Sequence, residues 1–164
     1  MTWATADLAD AYPDVVQVCG LPMLQYGGTR CFGGPVRTLR TGEPVTVLRG
    51  AFDGPGEGAV LVVDAGGWRE AAIFGDTLAA RAIASGWSGV IVNGAVRDVA
   101  TLATLPLGVM ALGTCPRRGS LAGSLVTGGA LDMGGTRFTP GHWVYCDDDG
   151  ILVSSRELAL PISV

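Results

Sequence analysis

A helix and a buried strand of matched length, set back to back between two aspartates, constrain this chain more than any other stretch. Thr77 to Ser85 (TLAARAIAS) is dominated by good helix formers, Asp76 stands where an N-cap is expected, and Gly86 supplies the stop. Ser88-Gly89-Val90-Ile91-Val92-Asn93 then reads as a buried strand, with Gly94 to Asp98 as the turn leaving it. A helix of about ten residues rises ~15 Å and a strand of about five runs ~17 Å, so the chain returns to its starting level. Asp76 and Asp98 are therefore expected to face one pocket.

That pocket would hold three kinds of chemical group. The first helical turn leaves the backbone N–H groups of Thr77 and Leu78 without intrahelical partners, which, with the helix dipole, favours an anion such as a carboxylate. Arg97 adds a planar fork able to hold the same carboxylate. Asp76 and Asp98 add oxygen ligands of the kind a hard divalent cation prefers, Mg²⁺ usually keeping several waters. Spacing alone leaves a plainer reading open. Asp76 and Asp98 would then be helix caps, the latter for a short turn at Val99 to Ala103, and Arg97 and Asp98 an exposed ion pair of little weight.

Composition filters the chemistry. All eleven basic residues are Arg, which removes any lysine Schiff base. The single His, His142, cannot build a His-rich zinc site and reads as a strand-edge or core residue. The four Cys (Cys19, Cys31, Cys115, Cys146) show no C-x-x-C pair, so neither a structural zinc nor a redox dithiol is indicated. If the chain is an enzyme, carboxylates, Arg and a bound metal must do most of the work.

The 164 residues fit one domain, 1–164, large enough to bury roughly two-thirds of its unfolded surface. Hydrophobic residues make up 48% and charged residues only 16%, with a mean hydropathy of +0.40, a surplus that points to subunit interfaces. No apolar run approaches the ~18 residues of a membrane span, and the acidic start lacks the basic and apolar regions of a signal peptide. A soluble, cytoplasmic protein with reduced Cys is expected. A net charge of −4 argues against nucleic-acid binding, and Arg117-Arg118 reads as a solvated loop.

Elsewhere, Thr5 to Tyr12 reads as a short helix capped by Thr5, and Val36 to Arg40 and Val45 to Leu48 as strands. Leu21 to Gly28 reads as loop. Ala59 to Asp64 is an apolar run typical of a strand buried on both faces. Asp64-Ala65-Gly66-Gly67 departs from a dinucleotide fingerprint, so Gly66-Gly67 is expected to be a tight turn bordering the Asp76 pocket. Pro106 to Leu112 is expected to join the sheet of Val90 to Val92. The segments Thr114 to Gly123 and Val126 to Met133 read as loops, and Trp143 to Val153 as a hairpin turning at a solvated Asp147-Asp148-Asp149.

These residues together resemble the regulator of ribonuclease activity A (RraA) family, also met as 4-hydroxy-4-methyl-2-oxoglutarate aldolase-like proteins. The likeness runs through Asp7-Leu8 with Tyr12, Gly27-Gly28, Phe32-Gly33-Gly34-Pro35, Val62 to Gly67, Gly75-Asp76, Gly86-Trp87-Ser88-Gly89, Gly94 to Asp98 and Asp148-Asp149-Gly150. Its most specific part is Asp76 followed, after twenty residues, by Arg97-Asp98.

The resemblance implies an α/β fold, a β/β/α sandwich of the swivelling (phosphohistidine-domain-like) type, assembled as a homotrimer with pockets between subunits. In the aldolase branch it implies that Asp98 anchors Mg²⁺ or Mn²⁺. Arg97 would hold the carboxylate of a 2-keto acid, helped by Gly75 and the amides of Thr77 and Leu78, and Asp76 would position a water for proton transfer. The metal would polarise the keto oxygen and stabilise the enolate left by C–C cleavage. The family's aldolases carry a longer acidic C-terminal region, whereas Glu157 is the only acid after Ser155 here, and Thr101 stands where some members have an acid. Oxaloacetate decarboxylation is thus expected ahead of bulky aldol cleavage. A second branch implies a non-catalytic regulator that binds a ribonuclease.

Overall fold

The computed structural model describes residues 3–43 and 45–160. Its helices are α1 (Thr5–Ala11), α2 (Asp76–Ala84) and α3 (Val99–Leu102). The strands are β1 (Val16–Val18), β2 (Leu24–Gln25), β3 (Phe32–Thr41), β4 (Val60–Asp64), β5 (Ala72–Phe74), β6 (Gly89–Val96), β7 (Gly108–Thr114), β8 (Leu125–Thr127), β9 (Leu131–Met133), β10 (Thr136–Phe138), β11 (Trp143–Cys146) and β12 (Ile151–Ser154).

Ten of these strands form one mixed sheet in the order β1-β12-β11-β3-β4-β6-β7-β2, with β5 beside β6 and β8 beside β3; β9 and β10 form a separate hairpin. The core β3-β4-β6-β7 is parallel and the flanking pairs are antiparallel. The fold is a mixed α/β architecture, a large sheet with few helices.

Alternation along β4 and β6 explains why both are apolar throughout. Leu61, Val63, Val90 and Val92 point to the side where α2 packs with Leu78, Ala79 and Ala82. Val60, Val62 and Ile91 point the other way, against Phe32, Met110, Phe138 and Val144. A strand between two apolar layers has no wet face, which is the sequence signature expected of a buried parallel strand.

The helix and strand read from residues 77–93 are both present, with altered edges. Gly75, not Asp76, is the N-cap of α2, and Asp76 is its first helical residue. At the other end the Gly86 N–H donates to the Ile83 carbonyl (3.1 Å) and the Trp87 N–H to the Ala82 carbonyl (3.0 Å), with Gly86 at φ +78°. This Schellman arrangement needs a left-handed residue at that position.

Strand β6 runs on through Gly94-Ala95-Val96, which had read as a turn. β4 ends opposite Asn93, and β5 then takes its place alongside β6, pairing Ala72 with Ala95 and Phe74 with Val96. Two more expectations on strands are corrected. Residues 45–48 contribute only an isolated bridge, Thr46 to Ser120, and the stretch read as loop from Leu21 contains β2. The 126–133 segment also carries most of β8 and β9.

Thr5 does not cap α1, whose N-cap is Ala4. Instead the Thr5 N–H and hydroxyl both donate to the Asp147 carboxylate at 2.6 Å, while Asp148 pairs with Arg30 at 2.6 Å. The triple-aspartate turn therefore fastens the N-terminal helix, rather than standing merely solvated. All four cysteines are free, and burial pushes the Cys146 thiol well above its ordinary range. Among the described residues, no helix is long and apolar enough to cross a membrane.

Candidate functional site

The end of β6 and the start of α2 meet across β5. The Arg97 N–H donates to the Phe74 carbonyl (3.0 Å), which sets Arg97 and Asp98 beside Gly75 and Asp76. Asp98 lies at φ 59°, ψ 37°, a left-handed conformation that Asp and Asn adopt far more readily than other side-chain-bearing residues. It is the N-cap of α3 by backbone position, its carbonyl accepting from Thr101 (3.0 Å) and Leu102 (2.9 Å), yet its side chain makes no cap bond there. The carboxylate is turned towards α2, where Oδ2 accepts from the Asp76 N–H at 3.3 Å.

This approach is close because residue 75 is Gly. A Cβ on Gly75 would lie 2.5 Å from Asp98 Oδ2 and 3.3 Å from Arg97 Cγ. The backbone of Gly75 is extended, so contact rather than conformational freedom is what requires the glycine.

Above these residues opens a cleft of about 250 Å³. Gly75, Asp76, Thr77, Leu78, Arg97 and Asp98 all line it. Every site residue singled out from the sequence is thus brought to one place. Among the described residues, no hydrogen bond engages the N–H groups of Thr77 and Leu78, which remain free to donate. Arg97 Nε lies 3.8 Å from Asp98 Oδ2, and its Nη1 donates a long bond of 3.5 Å to the Pro116 carbonyl. Both Arg97 and Asp98 side chains keep over a third of their surface exposed, so this pair contributes little to stability and can rearrange around a ligand.

The donors available to a cation are hard oxygens. Among the described residues, no group of three or more His, Cys, Asp or Glu converges on a metal position. Asp98, whose Oδ1 has no protein partner among the described residues, and Asp76 beside it suit a cation that keeps most of its waters, the habit of Mg²⁺. Soft-metal chemistry has no ligand set in the cleft.

Three charged cleft residues, Arg49, Arg81 and Arg118, had not been singled out, Arg81 lying on α2 itself. Arg118, expected in a solvated loop, and Arg49 both line the cleft. They arrive there because the 117–120 segment pairs with β5, the Ala72 N–H donating to the Arg117 carbonyl (2.7 Å) and the Gly119 N–H to the Ala72 carbonyl (2.8 Å). The Leu48 N–H donates to the Ile73 carbonyl (3.0 Å) and places Arg49 next to them. A basic pair in a Gly- and Pro-flanked loop gives no local sign of this. The signal would have been a strand at Ala72 to Phe74 needing a partner on its second edge.

Gly66-Gly67 forms a turn, as expected, but away from this cleft. Asp64 Oδ1 accepts from the Gly66 N–H (2.9 Å) and Asn93 Nδ2 (3.1 Å), and the turn borders a different recess with Arg69, Glu70, Gly113 and Thr114. His142 lies outside the cleft, just before β11.

Comparison with known proteins follows from this architecture. A family model described as RraA-like, Aldolase/RraA, matches residues 5–153. A protein of Xanthomonas campestris pv. campestris (strain 8004) named "Putative 4-hydroxy-4-methyl-2-oxoglutarate aldolase" is 43% identical over 99% of this chain and 98% of its own length. A crystal structure from Geobacillus kaustophilus HTA426, described as an S-adenosylmethionine: 2-dimethylmenaquinone methyltransferase, superposes with a TM-score of 0.90 at 43% identity. It covers 94% of this chain and 96% of that one. The structure described as the RNA-processing inhibitor RraA from Thermus thermophilis gives 0.89 at 36% identity, covering 97% and 96%.

Proposed function

Because the chain belongs to the RraA-like family, we propose that it is a divalent-metal-dependent lyase of 2-keto acids that releases pyruvate. The names of its relatives support an aldolase-like function. Oxaloacetate and 4-hydroxy-4-methyl-2-oxoglutarate are the substrates to which the proposal commits. The observation that carries it is the convergence, in one cleft, of the free Thr77 and Leu78 amides with Arg97, Asp76 and Asp98.

The roles follow from the chemistry of each group. The Thr77 and Leu78 N–H groups and the Arg97 guanidinium hold the C1 carboxylate, the helix dipole adding to their attraction. Asp98 would hold Mg²⁺ or Mn²⁺, with water completing the shell. When bound, the cation supplies Lewis-acid stabilisation of negative charge on the keto oxygen. Asp76, on the first turn of α2, orients a water that moves a proton to or from the substrate carbon chain. The two aspartates at a helix N-terminus would otherwise compete with a substrate carboxylate for the same positive potential, and a cation held by Asp98 would offset their charge.

Pyruvate release from each substrate, with Mg²⁺ or Mn²⁺ and with a chelator, checks the proposal. Turnover above the metal-only background, abolished by the chelator, is the expected result; background rates on both substrates would sink it. The close contact at Gly75 supplies a finer check. Gly75→Ala should displace the Asp98 carboxylate and lower turnover by about tenfold to a hundredfold, the scale of an ångström-sized misplacement. Its melting temperature should hardly move, since the group displaced is the exposed end of a side chain.

The same proposal carries the finer description of the fold as a swivelling-type sandwich, assembled as a cytoplasmic homotrimer with the cleft between subunits. Exposed apolar side chains at Val18, Leu24 and Val126 support an interface. A second reading, a ribonuclease-binding regulator, is favoured by the likeness to the Thermus inhibitor structure. It predicts inhibition of a ribonuclease that is indifferent to the charge on Asp98.

A further inference from the structure

Four of the eleven arginines, Arg49, Arg81, Arg97 and Arg118, line the cleft, against two carboxylates, in a chain of net charge −4. Arg81 is drawn to Asp53 at 3.3 Å and Arg97 to Asp98. Among the described residues, Arg49 and Arg118 make no ion pair or side-chain hydrogen bond. Like charges gathered without counter-charges repel each other and leave a positive potential that draws anions in.

The two guanidinium groups also stand apart from Arg97 in a defined way. β6, which leads into Arg97, lies on one edge of β5, and the segment carrying Arg118 lies on the other, bridged at Ala72. Two strand spacings, about 10 Å at the backbone, therefore separate the two sources of arginine, with each side chain free to reach inwards. Val47 and Leu121 add apolar surface to the wall on the Arg49 and Arg118 side. The cleft thus has Arg97 on one side of β5 and, on the other, apolar side chains with two guanidinium groups that make no ion pair among the described residues and suit a further carboxylate.

We propose that Arg49 and Arg118 form a second carboxylate subsite, which holds the distal carboxylate of a short-chain 2-keto diacid and sets the preference of the cleft for diacids over monoacids. This rests on the reading of Arg97 with Thr77 and Leu78 as the clamp for the first carboxylate. The role is one of positioning and specificity. Neither arginine is asked to touch the bond that breaks.

The test is isothermal titration of the full chain with pyruvate and with 2-oxoglutarate, in buffer containing Mg²⁺. Both ligands present the same 2-keto acid end, and only the second carries a distal carboxylate. Wild type should prefer 2-oxoglutarate. In Arg49→Gln and in Arg118→Gln the ratio of the two affinities should fall by about tenfold, the order expected on losing a charge-assisted hydrogen bond at a partly exposed site. An unchanged ratio in both variants, including the case in which both ligands weaken equally, overturns the subsite and leaves the Arg97 clamp standing. Failure of wild type to bind either ligand overturns the clamp and the subsite together. Thermal melts of the variants, expected to match wild type because both side chains are exposed, establish that the comparison is between folded proteins.

Discussion

Asp98→Asn is expected to lower metal-dependent pyruvate release by at least about a hundredfold, since metal stabilisation of a developing charge is worth several kcal/mol and about 1.4 kcal/mol is a factor of ten. Asparagine is the informative replacement because residue 98 sits in the left-handed region. Alanine there would add a backbone cost of roughly 1–2 kcal/mol, confusing a lost ligand with a strained turn. Asparagine tolerates the same dihedrals and keeps an oxygen for the Asp76 N–H, so only the charge is removed. Mn²⁺ affinity, measured by titration, should fall in parallel with turnover, while the melting temperature stays within a degree or two. A variant that keeps near-wild-type turnover would refute Asp98 as the cation's anchor.

Gly108→Ala should strongly destabilise the sheet. Gly89 and Gly108 are register partners on β6 and β7, and the ring of Phe32 lies across both. A Cβ would lie 2.4 Å from the nearest ring atoms at Gly89 and 2.2 Å at Gly108, and the ring is buried with little room to swing away. Overpacking of this kind costs about 3 kcal/mol, and a loss of that size lowers the melting temperature of a domain this long by about 10 °C. Phe32→Leu in the same chain should recover part of the loss, because the smaller side chain vacates the space; the non-additivity is read from a double-mutant cycle. Additive effects of the two changes would show that the ring and the glycine pair do not oppose one another as described.

The site was more legible in the sequence than the sheet that carries it. Asp76, Arg97 and Asp98 sit at the two ends of a helix and strand whose lengths follow from backbone geometry, so their meeting could be deduced without knowing any neighbour. The strands that were missed, β1, β2, β5, β8, β9 and β10, are two or three residues long, and all but the β9–β10 hairpin draw their stability from partners far away in the chain. Their own residues carry too few periods of alternation to announce a strand. Arg118 was misplaced for the same reason, since its position is inherited from β5. The cap assignments failed differently. Asp76 and Thr5 have the chemistry of local caps, but Asp76 fell one residue inside its helix, and Thr5 donates instead to Asp147, more than 130 residues later in the chain. Propensity registers the type of residue and says nothing of which backbone it will reach.

β5 separates the cleft into two parts with independent ancestry in the chain. Its β6 edge leads to Arg97 and Asp98, just past the strand that also builds the core, whereas among the described residues its other edge is met by 45–49 and 117–120, connections outside the named strands in which Thr46 and Leu48 are buried and Arg49 and Arg118 exposed. On the proposed reading, substitutions at the exposed positions of those connections, Arg49 and Arg118, would alter what the far side of the cleft accepts without disturbing Arg97, Asp98 or the start of α2.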